Sequence, residues 1–210
     1  IMDAIARGCR TFLVGIGGSA TNDEGVGMLQ AMGFRFYDAN GELITQGCGG
    51  VLDSISLIDD SLVSAAVKES QFTVACDVDT PFCGPEGAAP VFAPQKGADA
   101  EMVKRLDEGM ASLAKVIEEK YAIDIIPVAG AGAAGGMGGA FRAFLGATLK
   151  KGIDMVLDAI DFDTTIQGAN LVITGEGKVD FQTAKGKTAA GVLNRAKQQY
   201  IPVVAIGGCV

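Results

Sequence analysis

The chain has 210 residues, 49% of them hydrophobic and 20% charged, with a net charge of −8. That is a globular composition with enough chain to bury a sizeable core, and its acidity argues against a nucleic-acid-binding surface, which needs a basic face. It contains no histidine, which removes Ser-His triads and every histidine general base. Any proton acceptor must therefore be a carboxylate, lysine, tyrosine or cysteine. Five cysteines are present, Cys9, Cys48, Cys76, Cys83 and Cys209, with no CxxC pair. Zinc needs four clustered ligands and is rejected. The cysteines read as small buried hydrophobes of a reducing, cytoplasmic protein. No apolar stretch approaches the ~20 residues of a membrane span.

In chain order, residues 1–8 read as an amphipathic helix rather than a leader, stopped by Gly8. Thr11 to Ile16 is an apolar, β-branched run, expected to be a strand covered on both faces. Its loop, Gly15-Ile16-Gly17-Gly18-Ser19-Ala20-Thr21-Asn22-Asp23, precedes a helix capped by Asn22 or Asp23 and running through Met28, Leu29 and Met32. A short strand over 34–37 is turned by Asn40-Gly41. Leu52, Ile55, Leu57 and Ile58 are expected in the core, and a helix is expected from Asp59 or Asp60 through Val67. Phe72 to Cys76 is a second buried strand ending in Asp77-Val78-Asp79. Asp99 caps the longest helix, from Ala100 to about Lys120, whose apolar positions Met102, Val103, Leu106, Met110, Leu113, Val116 and Ile117 recur every three or four residues.

The stretch Gly130 to Gly139 holds six glycines in ten residues. It leads into a helix through Phe141, Phe144 and Leu145, and a further helix spans 153–160. Leu171 to Thr174 is a third strand, entering Gly175-Glu176-Gly177-Lys178-Val179-Asp180. A helix opens at Gly186-Lys187-Thr188, and Val203 to Gly207 is the last strand. Strands alternating with helices make an α/β fold with a largely parallel sheet and helices on both faces. An opening inside a helix and an end just after a strand are expected of a piece of a longer polypeptide.

In such sheets, ligands sit beyond the carboxyl ends of the strands. Gly15-Ile16-Gly17-Gly18-Ser19-Ala20 fits the dinucleotide fingerprint, and Asp38 lies ~20 residues on, as that fingerprint requires. Against it, the polar groups from Ser19 to Asp23 suit an anion and its metal better. Gly130-Ala131-Gly132-Ala133-Ala134-Gly135 fits the same pattern and offers backbone N–H groups open to an anion; close packing through Gly135, Gly138 and Gly139 is the other reading. Gly186-Lys187-Thr188 is not a P-loop, because Phe181 stands where its first glycine belongs. Asp77, Asp79, Glu176 and Asp180 follow strand ends. Phosphoryl transfer needs a carboxylate for Mg²⁺ and often one to take the hydroxyl proton.

Four segments taken together resemble the glycerate kinase family, type I. They are residues 15–23 above, Val-Phe-Ala-Pro-Gln-Lys-Gly-Ala over 91–98, the glycine stretch over 130–138, and Val-Ile-Thr-Gly-Glu-Gly-Lys-Val-Asp-Phe-Gln-Thr over 172–183. The resemblance covers essentially the whole chain. It implies ATP- and Mg²⁺-dependent phosphorylation of the 2-hydroxyl of D-glycerate, giving 2-phosphoglycerate and ADP. It implies a flavodoxin-like domain (residues 1–15 and 166–210) and an inserted domain (16–165), with the site in a cleft. By motif, Ser19, Thr21, Asn22 and Asp23 line that cleft, Asp77 is the base and Lys96 neutralises anionic charge. Gly130, Gly132, Gly135 and Gly136 cradle an anion, Glu176, Gln182 and Lys187 complete the opposite wall, and Asp23 and Asp180 hold the metal.

Two positions depart from the family pattern: Thr80 stands where Asn is usual, and Glu24 where Gly is. The family's chain is also longer at both ends, with an N-terminal Asp-Ser-Phe-Lys motif that this sequence does not contain. A dinucleotide-binding oxidoreductase and a non-catalytic acid- or nucleotide-binding module remain as rival readings. No nucleic-acid or membrane partner is expected, and homo-oligomerisation is left open.

Overall fold

A computed structural model describes residues 1–177 and 188–209. The chain divides into two compact units, 1–149 and 150–210.

In the first unit, α1 (Met2–Ala6) leads to β1 (Thr11–Gly15), and Gly8 takes the left-handed conformation, φ +95°, between them. Then come α2 (Val26–Ala31), β2 (Arg35–Tyr37) and β3 (Leu57–Asp59). These are followed by α3 (Ala65–Lys68), β4 (Gln71–Ala75), α4 (Ala88–Phe92), α5 (Ala100–Tyr121) and α6 (Met137–Leu145). β5 (Thr148–Lys150) stands at the boundary, and the sheet order is β1-β4-β5. β1 and β4 pair in parallel with Gly15 opposite Ala75, so their following loops emerge side by side. β2 and β3 form a separate antiparallel pair.

The main core collects Val26, Leu29, Phe36, Leu52, Ile55, Ile58 and Phe82 with the inner stripe of α5, Met110, Leu113 and Ile117. Asp99 starts α5 as the sequence predicts, its Oδ1 accepting the Met102 N–H at 2.8 Å. Such a cap contributes about 1 kcal/mol. A smaller cluster of Ile16, Phe72, Val74 and Phe141 joins the sheet to α6.

Several expectations need correction. β1 is not covered on both faces: Leu13 is 64% exposed while Phe12 and Val14 are half-buried. Leu57 and Met102 face outward, because the alternation of β3 and the first turn of α5 put them there. The helix expected from Asp59 starts only at Ala65. Asp59 belongs to β3, and the Ser64 side chain caps α3 by accepting the Val67 N–H. The cysteines are all unbridged, but only Cys76 and Cys83 are buried.

The second unit contains α7 (Gly152–Ala159), α8 (Phe162–Thr165), β6 (Val172–Glu176), α9 (Thr188–Gln198) and β7 (Val203–Gly207). β6 and β7 pair in parallel. Ile166, Ala196 and Ile201 are its buried centre. Arg195 ties α9 to the preceding helices through Asp158 at 2.8 Å and Asp163 at 2.9 Å. The α/β class with parallel pairing and flanking helices holds throughout. Among the described residues no helix is long and apolar enough to cross a membrane.

Candidate active site

The loops after β1 and β4 open into a cavity of about 340 Å³ in the first unit. Gly15 to Ser19 form one wall and Ala75 to Val78 another. Gln95 and Lys96 enter from a 3-10 turn (Pro94–Lys96), and Ala133 and Ala134 close the base. This brings together Ser19, Asp77 and Lys96, three of the residues singled out by sequence. Asp77 is exposed at the carboxyl end of β4.

The first glycine loop is open. Gly15, Gly17 and Gly18 are exposed, and a Cβ added at any of them would meet nothing within 4 Å. Gly18 is left-handed, φ +71°, which favours glycine there. Among the described residues, none of the backbone N–H groups from Gly17 to Asp23 donates a hydrogen bond. Chain amides in that state suit an anion.

Lys96 faces them. Its Nζ donates to Ser19 Oγ at 2.8 Å and to the Thr21 carbonyl. Burial pushes the Lys96 amine below its ordinary value, opposed by the nearby Asp23 carboxylate. No ion pair of Lys96 occurs among the described residues.

Asp23 is half-buried, with Oδ1 accepting the Gly25 N–H at 3.1 Å and Oδ2 the Gly27 N–H at 3.4 Å. The first turn of α2 is thus already satisfied by Asp23, and the amides left without a partner are those of the loop before it. Asn22 is buried; its Nδ2 donates to Met110 Sδ at 3.4 Å and its Oδ1 has no partner.

The second glycine loop, expected to cradle an anion, is packed rather than open. Gly130, Gly132, Gly135 and Gly136 are all buried. Gly132 N–H donates to Thr80 O at 3.0 Å and Gly136 N–H to Gly132 O at 3.3 Å. A Cβ would lie 2.7 Å from Cys76 Sγ at Gly130 and 2.6 Å from Glu24 Cγ at Gly136. At Gly132 and Gly135 it would run into the carbonyls of Pro81 and Thr21. These glycines let three backbone segments approach closely, which is the packing alternative raised by the sequence. Only Ala133 and Ala134 reach the cavity.

Sequence reasoning noted Glu24 only as an oddity. It is 2% exposed and left-handed, φ +57°, with neither carboxyl oxygen hydrogen-bonded. Burial, aided by the Asp23 charge, holds its carboxyl well above the usual range. The left-handed φ is the physical reason a glycine suits this position. Its backbone N–H donates to Gly135 O at 3.0 Å and joins the two glycine loops.

Glu176 ends β6 in the second unit, half-buried, with Oε2 buried and unpartnered. Asp180, Gln182 and Lys187 lie outside the described residues. The dinucleotide reading loses its geometry. β2 is not in the sheet of β1, and Asp38 closes its own turn by accepting the N–H groups of Asn40 and Glu42, both at 2.9 Å.

The Glycerate kinase family profile matches residues 1–210. The chain belongs to the glycerate kinase family. It is 49% identical over 210 residues to the glycerate kinase of Bacillus cereus, covering 100% of this chain and 55% of that protein. It is 46% identical over 208 residues to the glycerate 2-kinase of Escherichia coli K12, covering 99% and 54%. A crystal structure from Salmonella typhimurium LT2, assigned to glycerate kinase 2, superposes with a TM-score of 0.87 at 46% identity, covering 98% of this chain and 55% of that one. The chain spans about half the length of the curated glycerate kinases it matches.

Proposed function

We propose that the complete protein phosphorylates the 2-hydroxyl of D-glycerate with ATP, giving 2-phosphoglycerate and ADP. The observation that carries this reading is the facing of Lys96 and the undonated amides of Gly17 to Ser19 across a cavity that also holds Asp77. Membership of the glycerate kinase family supplies the substrates.

In this reading Asp77 takes the proton of the attacking hydroxyl, the role a carboxylate must fill where no histidine exists. Lys96 and the loop amides hold anionic oxygens of the acid or the phosphates. Glu176, Gln182 and Lys187 serve the same reaction from the later motif. Mg²⁺ fits the donor chemistry: Asp23 offers hard carboxylate oxygens with lone pairs beyond the two that accept N–H groups. Mg²⁺ commonly keeps water and borrows phosphate oxygens, so one or two carboxylates suffice, Asp23 among them. When bound, it neutralises phosphate charge. Five unbridged cysteines suit a reducing cytoplasm.

The test is Asp77→Asn in the complete protein, with ADP release followed in a coupled assay and ATP binding by calorimetry. Loss of a general base lowers kcat by ~10²–10⁴-fold, and ATP affinity is expected to stay within about twofold. Near-normal kcat removes Asp77 from this role. A wild-type protein that releases no ADP with glycerate overturns the whole reading.

A further inference from the structure

Four polar side chains line the cavity: Ser19, Asp77, Gln95 and Lys96. Ser19 and Lys96 are bonded to each other. Lysine only donates and an ionised aspartate only accepts. The Ser19 hydroxyl both donates and accepts, but Lys96 takes one of its lone pairs. Gln95 is neutral and exposed, and its amide makes no hydrogen bond with the protein.

The backbone that carries it is nevertheless fixed. Pro94 sets the backbone of the turn, Lys96 N–H donates to Ala93 O at 2.9 Å, and Gly97 N–H donates to Pro94 O at 3.0 Å. Gly97 then turns the chain with φ +98°. A side-chain amide is therefore held at the rim of the cavity with a donor and an acceptor both unused.

A short dihydroxy acid presents three groups: a carboxylate, a hydroxyl that reacts and a hydroxyl that does not. The carboxylate suits Lys96 and the loop amides, and the reacting hydroxyl suits Asp77. The remaining hydroxyl keeps its proton, so it needs a partner that both donates and accepts. We propose that Gln95 binds this non-reacting hydroxyl and so selects dihydroxy acids over their monohydroxy analogues. The proposal rests on the phosphotransfer reading above and names the substrate class of that same site.

A site that hydrogen-bonds a substrate hydroxyl rejects the analogue lacking it, by as much as 10⁴-fold when the site is fully buried. At the exposed rim, where the bond is between neutral groups, about 10-fold is expected. The test compares glycerate with lactate and 3-hydroxypropionate, each lacking one hydroxyl, in the complete protein and in Gln95→Met, a variant of similar volume. Gln95→Met is expected to lower kcat/KM for glycerate by about 10-fold, mainly through KM. Turnover of whichever monohydroxy acid still reacts is expected within about threefold of wild type, with an unchanged melting temperature.

Equal losses on glycerate and on the monohydroxy acid overturn the proposal, as does an unchanged ratio between them. If the wild type phosphorylates none of the three acids, the phosphotransfer reading fails. Calorimetry then judges Gln95 by itself: a wild-type preference for glycerate over lactate that disappears in Gln95→Met supports it, and a preserved preference overturns it.

Discussion

The two glycine-rich loops of the first unit look alike in sequence and do opposite things. Gly15, Gly17 and Gly18 are exposed, unobstructed, and followed by amides without partners. Residues 130–136 are mostly buried, partly hydrogen-bonded, and pressed against neighbouring backbone. Glycine is used for access in the first and for close approach in the second. The lesson is that a glycine pattern specifies small size and backbone freedom, and the surroundings decide which of the two the fold uses.

Substitutions in the two loops should therefore fail in different ways. The largest effect is expected at Gly135, where a methyl meets the Thr21 carbonyl and the backbone is left-handed, φ +71°. Gly135→Ala should cost about 3 kcal/mol, lowering the melting temperature by roughly 6–12 °C for a chain of this size. A melting temperature unchanged within 2 °C, on the order of experimental scatter, breaks the packing reading.

Next is Lys96→Met on the access side. Hydrogen bonds to charged groups contribute about 1.5–3 kcal/mol, so ATP or glycerate affinity should fall roughly 10- to 100-fold by calorimetry. Affinity that does not move would mean the anion sits elsewhere.

Glu24 lies where the loops meet, and its effect depends on pH. Its carboxyl is held above the ordinary range in the folded protein. The stabilisation of the protonated form is complete below the unfolded value, ~4.3, and is lost as pH rises through the folded value. Glu24→Met removes the buried acid at similar volume. It should be about 1 kcal/mol more stable than wild type at pH 8, with the difference shrinking toward pH 4.5. A constant difference across that range in thermal melts excludes a titrating Glu24.

The smallest effect is expected at Gly17, which is exposed with open space around its Cα. Gly17→Ala should change stability by less than about 0.5 kcal/mol while weakening anion binding detectably. A large drop in melting temperature would erase the contrast between the loops.

Much of this is legible in the sequence. Asp99 as a cap, the stripe of α5 and the strands expected over 11–16, 72–76 and 203–207 follow from local chemistry. A side-chain cap and an apolar repeat act within a few residues. The pairing of Ser19 with Lys96 was not legible, because it crosses 77 positions of sequence. Nor was the burial of Glu24, a charged residue type that alone predicts exposure. The helix expected at Asp59 failed because two adjacent acids resemble a cap, while pairing with β2 drew Asp59 into a strand.

By itself the sequence determined most of the long element types, the α/β class, the absence of histidine chemistry and the family signature. Those depend on composition, on periodicity and on residues close together along the chain. Tertiary structure alone decided which glycine loop faces the cavity, that Asp23 satisfies α2, and that Asp38 closes only its own turn. Each of these depends on which distant segment occupies the space beside a residue, and steric exclusion between such segments has no signal in local sequence. Residues 130–136 carry a binding pattern, and the carbonyls of Thr21 and Pro81 convert it into a packing joint.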